Sequence, residues 1–400
     1  MRRHCWLLPL SIWIVVLVRF PVFSVGAAGP SGSSLRTNGF TILDLSPVAA
    51  PSGAEASKRF GMLQEGLQMR DGVPFKIGER VAVTGLESSQ AGDIYPSEVS
   101  LPVTGKFKRL HILHSTLNFA KDGTPIAAFK IHYASGAEES LRIGYGVHVR
   151  SYVRSGMEKK DVLVDPNTRP LQIGMESGDP QSGARFYHTV LDNPRPEEAV
   201  ARIELQSFFS RATPVLLAAT LEKEGSGLPA SYQAARRKGF KDLREYPDTV
   251  YRRELTVRAT ASSGGAVLTN ATASLSVSDD THTYFVGESH ADPQGICKIP
   301  FPPNQTMAFN LLVRAPGFIP SVISQSRTNR PDLKTDFTAA LDRGVAIGGL
   351  VKSEDGKPVA GAEVLVFKVV KSGPRDYSRT DYDVARTDAT GKWSSSSLPE

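Results

Sequence analysis

Residues 349–367 read G-L-V-K-S-E-D-G-K-P-V-A-G-A-E-V-L-V-F, and residues 387–400 read T-D-A-T-G-K-W-S-S-S-S-L-P-E. A fainter copy comes earlier, with L-T-N-A-T-A-S-L-S-V from Leu268 and A-D-P-Q-G-I-C-K-I-P from Ala291. Short apolar runs separated by Gly, Pro and Asp are typical of small all-β modules. The pattern predicts two β-sandwich repeats in the C-terminal half, with a strand at Val359–Phe367 in the clearer copy.

The two copies share a predicted tight turn between strands. Asp388 follows Asp292 by 388 − 292 = 96 residues, and each aspartate lies three residues before a glycine. An aspartate side chain can accept hydrogen bonds from backbone N–H groups in a turn, and glycine can take positive φ. We therefore predict structural turns at three places: Asp292 with Gly295, Asp388 with Gly391, and Asp355 with Gly356.

Residues 255–400 resemble the carboxypeptidase regulatory-like domain, a transthyretin-like sandwich. The matching residues are Gly349 to Val351, Asp355-Gly356, Pro358-Val359, Gly361-Ala362, Val364, Val366, Thr387-Asp388, Gly391, Trp393, Leu398 and Pro399. The earlier copy departs from this pattern, since it lacks Pro-Val-Gly-Ala and has Cys297 at the aromatic position. The resemblance implies spacer or adhesive modules without a peptidase site of their own. The later copy stops where further strands are expected, so we expect an incomplete sandwich and a chain that continues.

The composition suits a turn-rich, all-β chain of several domains. The 400 residues include 40% hydrophobic residues, 27 Pro and 35 Gly, enough apolar surface for two or three packed cores. The net charge of +6 is mild and scattered, which favours a solvated surface over nucleic-acid binding.

The N-terminus reads as an export signal. Arg2 and Arg3 precede an apolar run from Trp6 to Val18, and residues 25–27 offer small residues for cleavage. A retained membrane anchor is the alternative, but Arg19 ends the run too early to span about 30 Å of bilayer. Cleavage leaves Cys297 as the only cysteine. An exported chain without an internal disulfide must rely on core burial, which favours a bacterial envelope or secreted protein.

The composition shifts along the chain predict six segments. These are a signal peptide at 1–27, a flexible lead at 28–39, a jelly-roll-like β-sandwich at 40–222, a linker at 223–253 with a possible short helix from Pro229 to Tyr246, a degenerate transthyretin-like sandwich at 254–342, and an incomplete carboxypeptidase regulatory-like domain at 343–400.

The first domain, residues 40–222, has short alternating strands typical of a sandwich or jelly roll. Its segments Phe107–His114, Ile131–Tyr133 and Arg142–Tyr152 resemble galactose-binding-like jelly rolls, which implies a carbohydrate-binding-module-like fold. Sugar sites present aromatic faces ringed by polar side chains. The residues predicted to bind a ligand on this basis are Tyr145, His148, Arg150, Tyr152 and Tyr187. The alternative is that these aromatic residues fill the sandwich core.

Histidines in this domain raise the alternative of a metal site. His111 and His114 are three residues apart, which places them on opposite faces of a strand. They cannot serve one site without a bulge, so we interpret the histidines as hydrogen-bonded structural residues. We predict no metal site and no cofactor.

Catalytic signatures are missing from the sequence. It contains no G-x-S-x-G, no Gly-rich phosphate loop and no His-Glu-x-x-His. We expect an exported, non-catalytic binding or scaffold protein of the bacterial envelope, whose N-terminal sandwich binds polysaccharide or a cell-surface protein. One alternative is an ancillary part of a secreted peptidase or glycoside hydrolase whose catalytic domain lies beyond residue 400. A purely structural surface stalk is another.

Overall fold

A computed structural model describes residues 35–37, 39–50, 54, 56, 60, 64–90, 95–101, 103, 105–153, 165, 167–173, 184–223, 248–279, 282–329, 332–371 and 377–399. The predicted signal peptide and the possible helix in the linker lie outside these residues. The described residues form a nearly all-β structure that includes a short α-helix, α1 (Leu86–Gln90). No helix in this described part is long and apolar enough to cross a membrane.

In the described residues up to Lys223 there are thirteen strands, of which β3 and β4 form a separate hairpin and the other eleven form the first sandwich. They are β1 (Leu35–Thr37), β2 (Phe40–Ile42), β3 (Gly66–Arg70), β4 (Val73–Ile77), β5 (Val81–Ala82), β6 (Glu98–Leu101), β7 (Arg109–Leu117), β8 (Pro125–Tyr133), β9 (Glu138–Gly144), β10 (Thr168–Ile173), β11 (Ala184–Asp192), β12 (Val200–Ser207) and β13 (Thr213–Glu222). Strand β1 lies within the segment predicted as a flexible lead, and it pairs antiparallel with β2.

Two sheets form this sandwich. One has the order β1-β2-β13-β7-β11-β10, with β5 also paired to β13, and the other has the order β6-β12-β8-β9. Leu110 and Ile112 of β7 pack between the sheets, whereas Leu113 and Leu117 pack outward against Phe75 of the β3–β4 hairpin. Because both faces of β7 are covered, every residue of that strand is buried.

The second sandwich alternates buried and exposed residues along its strands, as a two-sheet module with solvated outer faces should. Its strands are β14 (Arg253–Ala261), β15 (Thr272–Ser278), β16 (Thr283–His290), β17 (Ile296–Phe301), β18 (Ala308–Arg314), β19 (Ser321–Ser326) and β20 (Asp336–Leu341). One sheet is β17-β14-β20, in which β14 and β20 run parallel, and the other is β16-β15-β18-β19.

The third unit consists of two strand pairs. They are β21 (Val345–Leu350) with β24 (Lys392–Leu398), and β22 (Glu363–Lys371) with β23 (Tyr377–Arg386). The strand predicted at Val359–Phe367 begins only at Glu363, because Gly361 takes a φ of 73° and turns the backbone just before it.

The third unit repeats the register of the second sandwich. Between β15 and β16 the pairing slips after Leu275, which lies opposite Gly287. Between β22 and β23 the same slip follows Val366, which lies opposite Asp383. The partners Gly287 and Asp383 are 383 − 287 = 96 residues apart, the spacing of the two predicted turns. β-bulges of this kind fix the twist and aim of a strand, so the two units share one construction.

Both predicted inter-strand turns have the same hydrogen bonds. Asp292 Oδ1 accepts from the N–H groups of Gln294 and Ile296 at 2.8 and 2.9 Å. Asp388 Oδ1 accepts from the N–H groups of Thr390 and Lys392 at 2.8 and 3.0 Å. Gly295 and Gly391 have φ of 73° and 76°. The Thr390 hydroxyl also donates to Asp388, and these bonds hold the pKa of the carboxyl below its usual value.

The first and second sandwiches meet in a packed junction. Arg252, directly before β14, donates to the carbonyl oxygens of Ser97 and Ser207 at 3.0 and 3.2 Å and to Glu98 Oε2 at 2.6 Å. Its guanidinium carbon lies 5.5 Å from the ring centroid of Phe209. Phe209, together with Leu86 of α1, belongs to the same buried apolar cluster as the core of the second sandwich. Two buried residues of the first sandwich thus extend the apolar core of the second sandwich across this junction.

Backbone bonds join the second sandwich to the third unit. The N–H of Gly344 donates to the carbonyl oxygen of Gly317 at 3.0 Å, and that of Ile319 donates to Asp342 at 2.8 Å. The Arg343 guanidinium carbon lies 5.5 Å from the Phe318 ring centroid. The loop after β18 thus holds the start of β21.

Candidate functional site

Three of the predicted ligand residues lie together after β9. Arg150 donates to both carboxylate oxygens of Asp122, at 2.8 and 2.9 Å, and lies 5.8 Å from the Tyr145 ring centroid. The Tyr145 hydroxyl accepts from the N–H of Ser151 at 3.2 Å. His148 Nδ1 accepts from the N–H of Gly144 at 3.0 Å, so its proton is on Nε2, which faces Asp165 at 3.4 Å. Burial lowers the pKa of His148.

The other two predicted residues lie elsewhere in the sandwich. Tyr152 packs edge-on against Phe60 with ring centroids 5.2 Å apart, at the outer apolar layer. Tyr187 lies on β11, in the core between the two sheets with Tyr145. Tyr145 and Tyr187 are 1% and 0% exposed, so their faces are not open to stack on a sugar at the surface. The ligand-binding role of the five residues stays a prediction.

A buried polar chain runs through the outer face of the larger sheet. His188 Nδ1 faces Asp71 Oδ2 at 3.0 Å, and its Nε2 faces His111 Nδ1 at 3.2 Å. His111 Nε2 faces Glu222 Oε2 at 2.8 Å, and Arg109 holds both oxygens of Glu222 at 2.5 Å. We call these five residues the polar chain. Its members come from the β3–β4 turn, β7, β11 and β13.

The hydrogen bonds of the polar chain define its protons. Asp71 accepts from His188, so the proton of His188 is on Nδ1 and its Nε2 accepts from His111. The other ring nitrogen of His111, Nε2, lies 2.8 Å from Glu222 Oε2, so this imidazole bridges His188 and Glu222. The guanidinium of Arg109 balances the carboxylate of Glu222. A buried group of charges needs this balance, since an unpaired charge in the interior is costly.

Burial governs the titration of His188 and His114. It lowers the pKa of His188 to about 4, although the hydrogen bond to Asp71 raises it. Phe75 covers the His188 ring edge-on, with centroids 5.2 Å apart. On the opposite face of β7, burial lowers the pKa of His114 to about 3, and its Nε2 bonds the Thr189 hydroxyl at 2.8 Å. Both imidazoles are thus neutral near pH 7.

The polar chain is closed to substrates. The side chains of His111, Glu222 and His188 are at most 1% exposed. The side chain of Asp71 is 27% exposed. A nucleophile or general base must touch its substrate, and these groups touch one another. Within the ranges that the structure describes, no group of three or more His, Cys, Asp or Glu side chains has the geometry to hold a metal ion. The arrangement holds three neighbouring strands and the β3–β4 hairpin together.

Sequence reasoning interpreted the histidines of this domain as hydrogen-bonded structural residues but did not identify the partners of His111 and His188. Asp71 and Glu222 lie 117 and 111 residues away along the chain from the histidines that they bind. The order of strands in the sheet creates these contacts, and no local pattern marks them.

Comparisons with known proteins find little. No family model matches the chain, and no curated protein matches it. The group B streptococcus pilus 2b backbone protein aligns at 12% identity and a TM-score of 0.20, over 67% of this chain and 98% of its own. The Streptococcal ancillary pilin aligns at 12% identity and a TM-score of 0.19, over 73% of this chain and 87% of its own. The Bacillus anthracis TIE protein aligns at 11% identity and a TM-score of 0.16, over 82% of this chain and 50% of its own. TM-scores this low do not establish a shared fold or function. The resemblance to the carboxypeptidase regulatory-like domain therefore stays a prediction.

Proposed function

We propose that this chain is an exported, non-catalytic scaffold of the bacterial envelope, in which the C-terminal units hold the first sandwich at a fixed spacing. The packed junction at Arg252 is the observation that carries this proposal. A linker between independent domains would leave Arg252 solvated. Instead its guanidinium bonds two backbone carbonyls of the first sandwich and a carboxylate, and Leu86 and Phe209 of the first sandwich join the core of the second. Such contacts oppose the relative motion that separate domains normally show.

The desolvation of Arg252 supports a fixed junction. Burial lowers the pKa of Arg252, against the opposing effect of Glu98 and other carboxylates. Phe208 and Tyr251 stack beside it, with centroids 5.3 Å apart and planes 23° from parallel. Arg142 Nε donates to Asp248 Oδ1 at 2.6 Å across the same boundary. Several buried contacts of different kinds must break together for the sandwiches to separate.

The partner in this proposal is a polysaccharide or a cell-surface protein, bound by the first sandwich. Of the five predicted ligand residues, His148 and Tyr152 keep partly exposed side chains. They are the members of that set that can reach a partner without rearrangement of the core.

Surface display tests the location. The full chain with an epitope tag in the exposed turn at Ser135–Gly136 is produced in a bacterium, and antibody binding to intact cells is measured. We expect binding to intact cells, and loss of that binding when charged residues replace the apolar run from Trp6 to Val18. Tag detection only after lysis would overturn the proposal.

Retention of the purified full chain on immobilised envelope polysaccharides and on purified envelopes tests the partner. Tyr152→Ala should weaken retention, whereas Phe119→Ala, at a residue 40% exposed and outside the predicted set, should not. Absence of retention on every support would contradict a binding role for the first sandwich.

A further inference from the structure

Phe209 has an unusual backbone conformation at the junction between the first and second sandwiches. Its φ is 53°, in the left-handed region. A bulky side chain rarely adopts this region, because its Cβ then crowds the following carbonyl oxygen. Asp71 and Asn118 are the other non-glycine residues with positive φ in the part of the chain that the structure describes. Aspartate and asparagine tolerate the region, whereas phenylalanine is strained in it.

The strained residue places its ring in the core of another unit. Phe209 is fully buried and, with Leu86 of α1, lies in the apolar cluster of the second sandwich. Burial of a phenylalanine ring is favourable and offsets the cost of the strained backbone. Because the second sandwich supplies this core, the conformation of Phe209 is linked to the docking of the two sandwiches.

Ser207 fixes this conformation through all of its polar atoms. Its hydroxyl accepts from the N–H of Phe209 at 2.8 Å and donates to the carbonyl oxygen of Thr84 at 2.5 Å. Its own N–H donates to the carbonyl oxygen of Ser97 at 2.9 Å. Its carbonyl oxygen accepts from Arg252 at 3.2 Å. One residue thus connects the strained loop to β6, to the loop before α1 and to the segment that enters the second sandwich.

The two loops that carry Leu86 and Phe209 are bonded to each other. The N–H of Leu86 donates to the carbonyl oxygen of Ser210 at 2.8 Å. Gly85 permits this close approach, since a Cβ there would lie 2.5 Å from Thr213 Oγ1. The two apolar side chains therefore enter or leave the second core together.

We propose that residues 207–210 form a two-state latch between the first and second sandwiches. In the closed state Phe209 keeps its left-handed φ and fills the second core. In the open state Phe209 and Leu86 leave that core together, Phe209 relaxes to an ordinary φ, and the bonds at Ser207 Oγ and Leu86 N–H break. Relief of strain favours opening, and loss of apolar burial opposes it. The latch rests on the fixed junction of the proposed scaffold and defines where that junction opens.

Amide hydrogen exchange of the full chain, read at Leu86, measures the open fraction. Phe209→Ala removes the ring and keeps the strain, whereas Phe209→Gly removes both, because glycine adopts positive φ freely. Exchange at Leu86 should therefore be about fivefold slower in Phe209→Gly than in Phe209→Ala. Residues 110–113, in the covered strand β7, report global unfolding of the first sandwich and serve as the internal reference.

The neighbouring residue provides the matched control. Phe208 is also buried and stacks on Tyr251 at the junction, but it has no positive φ. With an ordinary backbone, glycine costs more than alanine. Exchange at Leu86 should therefore be about two- to fivefold faster in Phe208→Gly than in Phe208→Ala.

Ser207→Ala tests the hydroxyl that holds the closed state. It should speed exchange at Leu86 about tenfold relative to residues 110–113, because it leaves the N–H of Phe209 without its acceptor. Ser115→Ala is the control. Ser115 is as buried as Ser207, but its hydroxyl donates to the carbonyl oxygen of Arg185 at 2.9 Å, so this variant should not change that ratio.

Slower exchange with glycine at position 209, combined with faster exchange with glycine at position 208, supports the latch. Exchange in Phe209→Gly that is as fast as in Phe209→Ala overturns it, as does an unchanged rate in Ser207→Ala. In both cases slow exchange at Leu86 in the unmodified chain leaves the fixed junction intact. Exchange at Leu86 in the unmodified chain that is as fast as in the exposed turn at Gly136 overturns the latch and the fixed junction together.

Discussion

Trp393 packs directly across from Gly349, and its indole Nε1 lies 2.9 Å from the point that a Cβ on Gly349 would occupy. In the second sandwich the equivalent cross-strand pair is Cys297 with Val257. In the third unit a tryptophan thus lies opposite a glycine, whereas in the second sandwich two side chains of smaller size lie opposite each other. The aromatic ring covers a position that would otherwise lack a side chain in the strand.

Substitution of Gly349 by Ala should destabilise the third unit by about 1 kcal/mol, because the indole must shift. In a Trp393→Cys background the same substitution should stabilise by about 0.5–1 kcal/mol, since glycine in a strand costs that much relative to alanine. Urea unfolding of the four combinations measures this change of sign. Gly287→Ala, where a Cβ meets no atom within 4 Å, is the control. Equal effects of Gly349→Ala in both backgrounds would show that the ring does not occupy this space.

Acid should destabilise the first sandwich through His188 and His114. Their pKa values in the folded state are about 4 and about 3, below the ordinary value of 6.5. Below pH 6.5 the unfolded chain therefore binds protons that the folded chain does not. Stability is complete above pH 6.5 and falls toward pH 4, by up to about 1.4 kcal/mol per pH unit for each histidine.

Urea unfolding between pH 7.5 and pH 4.5 measures this slope. The double variant His114→Gln/His188→Gln should show a smaller dependence of stability on pH, whatever the change in its absolute stability. His290→Gln, at an exposed histidine, should leave the slope as it is. A slope unchanged in the double variant would exclude the two buried histidines as its source.

Glu222→Gln should be strongly destabilising, by about 3–5 kcal/mol, because it leaves the charge of Arg109 buried without its counterion. Arg109→Met combined with Glu222→Met should recover part of that loss, since apolar residues often replace a buried ion pair at little cost. Glu197→Gln is the matched control. Its partner Lys106 lies 3.9 Å away at the surface, and such pairs contribute at most about 1 kcal/mol. A double variant that is less stable than Glu222→Gln would contradict the importance of the buried Arg109–Glu222 ion pair.

The all-β fold class could be predicted from the sequence, mainly because the patterns that indicate it depend on neighbouring residues in the chain. Leu255, Val257 and Ala259 alternate with polar residues on β14, and the structure buries all three. The period of 96 residues between Asp292 and Asp388 reflects a shared register that includes one bulge. Alternation and turn chemistry depend on neighbours in the chain, so one sequence is enough to detect them.

The interior of the first sandwich could not be predicted in the same way. Tyr145 and Tyr187, beside histidine and arginine, match the composition of a sugar site, yet both side chains lie in the core. Composition does not distinguish the two environments, because a buried tyrosine or arginine also needs polar partners. The contact of Glu222 with His111 depends on β13 lying beside β7, which only the tertiary fold establishes.

The distance between the first and second sandwiches in solution tests the proposed scaffold most directly. Spin labels at Lys108→Cys and Lys298→Cys, in a Cys5→Ser and Cys297→Ala background, report it by pulsed electron resonance. A fixed junction predicts one narrow distance peak, which Arg252→Ala broadens. Arg195→Ala, at an exposed arginine that pairs with Glu139 and Glu198, does not broaden it. A broad distribution before any change at Arg252 would contradict the scaffold.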